Sequence, residues 1–225
     1  MNMNMNMNMN MNMNMKKTVE ESLRAQWSEL LGRLQAKRLM SSERASLSLR
    51  IPGSDAMWFG FATDAMPQRV PWRAAPHDAQ VHAAVYTARG DVGAIAVGGG
   101  AFGRCLADFG GAMPQVFDEQ ARHLGPMVPI RGQAQQLEAL QHRGNVLLMQ
   151  GHPVCLGMTA MRLALNAELF EKCAKAYVLA VAGGGRVRAL PWIVRWVANR
   201  RLAKDEQRAS ARFLQGQLPE ECKGY

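Results

Sequence analysis

The chain has 225 residues, 27 Lys and Arg against 18 Asp and Glu for a net charge of +9, and 48% hydrophobic residues. No stretch approaches the roughly 20 consecutive apolar residues of a membrane span; the longest candidate, Ala189 to Ala198, is broken by Arg195. Composition therefore describes a soluble globular protein with no membrane contact, and residues 16–225 suffice to bury roughly 70% of the surface of their unfolded chain without a disulfide or metal staple.

Eight of the sixteen Met lie in the alternating Met/Asn run from Met1 to Met15. This uncharged low-complexity tail is expected to be disordered and is set apart from a single domain at 16–225. It lacks the unbroken apolar stretch and cleavage site of a secretory signal, and Lys16 and Lys17 follow it where a signal's charges would precede it, so a cytoplasmic location is expected. Thr18 and Glu21 have the spacing of a capping box, and Leu23, Trp27, Leu30, Leu31 and Leu34 recur at helical spacing as far as Lys37 and Arg38. Leu47, Leu49 and Ile51 then alternate with Ser46, Ser48 and Arg50; Pro52-Gly53 turns the chain, and Met57 to Ala62 completes a β-hairpin.

Asp78 to Arg89 reads as a helix with Val81, Ala84, Val85 and Ala88 on one face, followed by a strand over Gly93 to Val97 and a helix over Ala101 to Phe109. Asn145 to Met149 and Val154 to Leu156 read as a late strand pair. Thr159 opens a long helix that stops at Gly183-Gly184-Gly185. Pro191 starts a last helix with Trp192, Trp196 and Val197 expected inward and its arginines mostly outward. The order predicts a layered α/β domain with a mixed or antiparallel sheet, because the hairpin and the late pair fit no repeated βαβ unit.

Cys105, Cys155, Cys173 and Cys222 form no CxxC pair, so they read as buried or incidental thiols. Arg186 to Arg212 holds eight basic residues against Asp205 and Glu206, six of the nine net charges. A solvated face or subunit contact accounts for it better than nucleic acid, for which no recognised motif is present. Gly98-Gly99-Gly100-Ala101-Phe102-Gly103 matches G-x-G-x-x-G between a strand and a helix, where backbone N–H groups can approach an anion. A short, Pro-preceded segment is all that follows as a second strand, so a tight turn is favoured over a dinucleotide site.

Three blocks carry a resemblance. His82-Ala-Ala-Val-Tyr86 with Arg89-Gly-Asp91-Val-Gly-Ala94, Asn145-Val-Leu-Leu-Met149 with His152 and Gly157, and Ser46-Leu-Ser-Leu-Arg50 with Pro52-Gly53 together resemble the class II aldolase/adducin family over Ser22 to Tyr225. The resemblance implies an α/β/α fold with a central, mostly antiparallel sheet, a homo-oligomer, commonly a tetramer, and metal-dependent lyase chemistry on small oxo- or hydroxyacids or sugar phosphates. It also implies a His-x-His metal pair, which here falls on Val97 and Gly99, and a third ligand, which falls on Gly151 beside His152. The family's acid/base Glu falls on Asp78, its phosphate-binding Ser pair on Pro76-His77, and its Gly-Asn on Ala45-Ser46.

Metal, acid/base and phosphate groups have thus changed together, which describes a retained scaffold whose ancestral chemistry has gone and which binds a ligand or partner. The alternative is an aldolase or decarboxylase with relocated or absent metal. Asp78 and His152 are the catalytic candidates; Ser46, His77, Gly98, Gly99 and Gly100 are the candidates for a small anionic ligand. No metal ligand or cofactor is assigned, and zinc enters only if its ligands have moved. His82 is expected to be a buried, hydrogen-bonded helix residue, and His123 and His142 to lie at the surface.

Overall fold

The structure, a computed structural model, describes residues 3–129, 144–149 and 152–221. Helix α1 (Met3–Ala36) leads into β1 (Ser46–Arg50), β2 (Ala56–Phe61) and β3 (Gln68–Pro71). Two single 3₁₀ turns precede α2 (Gln80–Ala88); β4 (Ala94–Val97) and α3 (Ala101–Asp108) follow. A π-helical turn, Gln120–Leu124, precedes β5 (Val128–Pro129), β6 (Val146–Met149) and β7 (His152–Gly157). Two long helices close the chain, α4 (Ala160–Ala182) and α5 (Trp192–Leu214).

The sheet order is β3-β2-β1-β4-β7-β6-β5. Every neighbouring pair is antiparallel except β5 with β6. This is the layered α/β class with a mostly antiparallel sheet that the sequence predicts. Alternation along each strand sorts the core into two sides. Leu47, Leu49, Ala94, Ala96, Val146 and Cys155 pack under α1, α3 and α4. Ile95, Leu147, Met149, Val154 and Leu156 face the other way with Val85 and Tyr86 of α2.

Several expectations need correction. Helix α1 begins at Met3, so Thr18 is a mid-helix residue and not a cap. Helix already formed and packed around Trp27 extends upstream at the cost of propagation only, without a second nucleation. Strand β3 escapes the sequence pattern because only Val70 of its four residues is buried. In α5 the inward residues are Leu202, Asp205, Glu206, Ala209 and Phe213, while Trp192, Trp196 and Val197 are exposed. The two acids turn inward because each meets an arginine, Arg122 at Asp205 and Arg89 at Glu206. His123, expected at the surface, is buried against the Arg162 guanidinium 2.7 Å away. His142 and Cys222 lie outside the described residues.

Trp27 is fully buried and ties α1 to the sheet, its indole N–H donating to the Leu47 carbonyl at 2.9 Å. Trp27→Ala is therefore expected to cost about 3–5 kcal/mol in denaturant unfolding, from the cavity and the orphaned carbonyl together. A loss below about 1 kcal/mol would show that α1 is not part of the core.

Candidate functional site

Register brings the sequence candidates to one end of the sheet. Ser46 at the start of β1 is opposite Val97 at the end of β4, and Val97 is opposite Val154 in β7, two residues after His152. The glycine turn, the open end of the β1–β2 hairpin and His152 therefore gather at one end of the sheet. Helix α2 joins it there, since His82 bonds to Ser46, and Asp78 lies one turn upstream of His82.

Ser46 faces the protein interior. Its hydroxyl is 2.9 Å from Nε2 of His82, whose Nδ1 is 2.7 Å from the Ser48 hydroxyl; Ser48 is in turn 3.0 Å from the Tyr86 hydroxyl. Both imidazole nitrogens are satisfied and the ring has no exposed surface, as expected for His82. Burial holds its pKa down to about 3 and pushes the Tyr86 phenol well above its usual value. The hydroxyl that the resemblance would offer to a ligand is thus spent on holding a neutral histidine. His77 and Asp78 lie instead on an exposed 3₁₀ turn.

The glycine turn is accounted for by packing. Gly99 has φ +77°, and a Cβ there would lie 2.7 Å from Cγ of Pro153; at Gly100 a Cβ would lie 2.4 Å from the carboxyl carbon of Glu171. Glu171 reaches across from α4 and accepts hydrogen bonds from the backbone N–H groups of Phe102 at 2.8 Å and Gly103 at 2.9 Å. A protein carboxylate thus occupies the helix N-terminus where the motif would hold an anion. No sequence signal marks it, because Glu171 stands 69 positions after Phe102.

His152 stands at the start of β7 on the face shared by Val154 and Leu156, partly buried, and its Nδ1 has no hydrogen-bond partner. Val97 and Gly99 supply no metal donor, and Gly151 lies outside the described residues. Among the described residues no group of three or more His, Cys, Asp or Glu is placed to hold a metal ion. The described residues at this edge do not fit the metal site that the resemblance implies.

A second polar cluster was not legible as a unit. Arg89 binds Asp91 through Nε at 2.8 Å and Nη2 at 2.7 Å, donates to the Gly144 carbonyl at 3.0 Å and lies 3.5 Å from Glu206. Arg50 stacks between Trp72 and Phe213, 4.7 and 4.9 Å from their ring centres, and donates to the carbonyls of Arg89, Gly90 and Val92. These contacts root α5 on the hairpin and α2.

Solved structures superpose on this architecture over most of its length. YgbL of Klebsiella pneumoniae, provisionally named an aldolase/epimerase/decarboxylase, superposes with a TM-score of 0.65 at 19% identity over 80% of this chain and 99% of its own. This chain has the class II aldolase fold. L-fuculose 1-phosphate aldolase from Glaciozyma antarctica gives a TM-score of 0.66 at 15% identity, covering 89% of this chain and 92% of that one. An aldolase II superfamily protein from Pseudomonas syringae gives 0.65 at 12%, covering 89% and 95%. No family model matches the sequence, and no curated protein matches it. On the class II aldolase fold, then, this chain carries Gly99 packed on Pro153 and a helix capped by Glu171.

Two outcomes follow. Glu171→Ala is expected to lose about 1–2 kcal/mol of stability by removing a charged cap from α3, with Glu171→Gln intermediate; no loss would mean the cap contributes nothing. His82 and His123 are held below the ordinary 6.5, to about 3 by burial and to about 4 by burial and then the Arg162 and Arg122 charges. The unfolded chain therefore binds protons that the folded chain does not between those values, so stability is complete above about pH 6.5 and falls as pH drops toward 4. Urea unfolding at several pH values is expected to give this slope, and His82→Asn a shallower one; a flat wild-type profile would contradict the buried neutral imidazole.

Proposed function

We propose that this chain uses the class II aldolase scaffold as a ligand- or partner-binding protein and no longer runs metal-dependent lyase chemistry. The packing of Gly99 on Pro153 supports this reading most directly. At a position where the resemblance implies a metal-binding His, no side chain can be added without displacing a proline ring. The filling of the α3 N-terminus by Glu171 points the same way, since it removes a ready anion site from the same edge. His152 is the candidate side chain left at this edge for a small anionic ligand, and His77, on its exposed 3₁₀ turn, is the other candidate. We further read the protein as a cytoplasmic homo-oligomer, with a tetramer as the arrangement the resemblance implies.

The unpartnered Nδ1 of His152 favours a second reading. A partly buried imidazole with an unused nitrogen can move a proton, and in an aldolase or decarboxylase with altered chemistry His152 and Asp78 would be the acid/base candidates. A single experiment separates the two readings: exchange with deuterium of the hydrogens beside the carbonyl of a ketose phosphate, followed by proton NMR with and without added zinc or manganese. The binding reading expects no exchange beyond that of the metal in buffer. Protein-dependent exchange abolished by a chelator would overturn it, and metal-independent exchange lost in His152→Ala would establish the second reading.

A further inference from the structure

Helix α5 is amphipathic twice over. Its C-terminal half buries Leu202, Glu206, Ala209 and Phe213, spaced i, i+4, i+7 and i+11. On the opposite side its N-terminal half turns Ile193, Trp196, Val197, Arg200 and Lys204 outward, spaced i, i+3, i+4, i+7 and i+11. Trp196 and Ile193 are each 53% exposed, Val197 40%, and the neighbouring Trp192 69%. The exposure is held in place, because the Leu190 N–H donates to the Gln115 carbonyl at 2.8 Å and the Gln115 and Asn199 side chains bond at 2.9 Å. The protein thus fixes an apolar ridge in an outward position.

Along the chain, the charge that accompanies the ridge has one sign. From Gly183 to Lys204 the sequence contains Arg186, Arg188, Arg195, Arg200, Arg201 and Lys204 and no Asp or Glu. Arg200 also lies over the Trp196 ring at 5.1 Å, which puts cation and indole at one level. Asp118 and Glu119 are the acids beside the ridge, lining one groove with Ile193, Val197 and the cations Arg122 and Arg201.

We propose that the outward ridge of α5 docks on an anionic lipid surface, the tryptophans and Ile193 entering the headgroup boundary and the arginines meeting lipid phosphates. Apolar and aromatic residues at helical spacing, in a segment with six cations and no acid of its own, are the composition of helices that lie in a membrane interface. Indole suits that depth because one edge is apolar and the other donates a hydrogen bond. A second copy meeting the ridge through its own α5 would bring two arginine runs together, which charge opposes. No described helix is long and apolar enough to cross a membrane, and a helix lying in the interface has no need to be. The proposal departs from the sequence expectation of no membrane contact, which rested on the lack of a spanning segment.

The test is co-sedimentation of the full chain with vesicles of phosphatidylcholine alone or with about 30% phosphatidylglycerol, at about 0.1 M and about 1 M salt. Wild-type protein is expected to bind the anionic vesicles, less at high salt, and not the neutral ones. Ile193→Ser with Trp196→Ser is expected to lower binding about tenfold at unchanged melting temperature. Arg200→Glu with Lys204→Glu is expected to do the same and carries the test if the first variant misfolds. Absence of binding, equal binding to neutral vesicles, or variants that bind like wild type would overturn the proposal. So would a wild type that ignores vesicles while light scattering shows the Ile193/Trp196 variant dissociating into smaller species, since a second copy would then cover the ridge.

Discussion

Strand β4 lies at the middle of the sheet with no free edge, and the three glycines after Val97 determine what that end of the molecule can hold. Because β4 is paired with β1 on one side and β7 on the other, the turn that follows it is pressed against Pro153 of β7 and the loop carrying Leu39 and Met40. The chain escapes only by adopting positive φ at Gly98 and Gly99, and it then enters α3 directly under Glu171. Side chains at these positions would have to displace a proline ring or a carboxylate. The tight turn and the lack of ligating groups are thus one constraint seen twice.

At both ends of β4, polar groups other than His152 are engaged internally. Ser46 and Ser48 hold His82, Glu171 holds α3, and Arg89 holds Asp91 and the start of β6. Buried polar groups satisfied in this way make the arrangement specific, because removing any one member leaves its partners without solvent or substitute. The exposed groups lie elsewhere, on the 3₁₀ turn of His77 and Asp78 and along α5. A fold whose relatives include aldolases is here internally closed at one edge and chemically open at its surface.

Much of this was legible in the sequence, for identifiable reasons. The β1–β2 hairpin, β4 and α4 announce themselves because alternation, glycine turns and the Thr159 cap are local signals; Thr159 does accept from the Arg162 N–H at 3.1 Å. The resemblance led to the right fold, and its His82–Tyr86 and Arg89–Asp91 blocks supply buried networks that position α2 and the core. What stayed hidden depends on distant partners. Glu171 as a cap, Glu206 as a buried acid and Trp196 as an outward tryptophan each depend on which helix face the rest of the fold covers, and a helical period does not say which face is inside. Fold alone leaves the activity to be decided by the site.

The most direct measurement is the metal content of purified, tag-free protein, by elemental mass spectrometry normalised to subunit concentration, before and after loading with zinc and exhaustive dialysis. The expected content is about 0.1 metal ion per subunit or less in both samples, since the described residues at this edge do not offer the three or four converging donors that a tightly held ion requires. About one zinc, manganese, iron or cobalt per subunit, retained through dialysis and lost in His152→Ala, would contradict it and restore a metal lyase on rebuilt ligands.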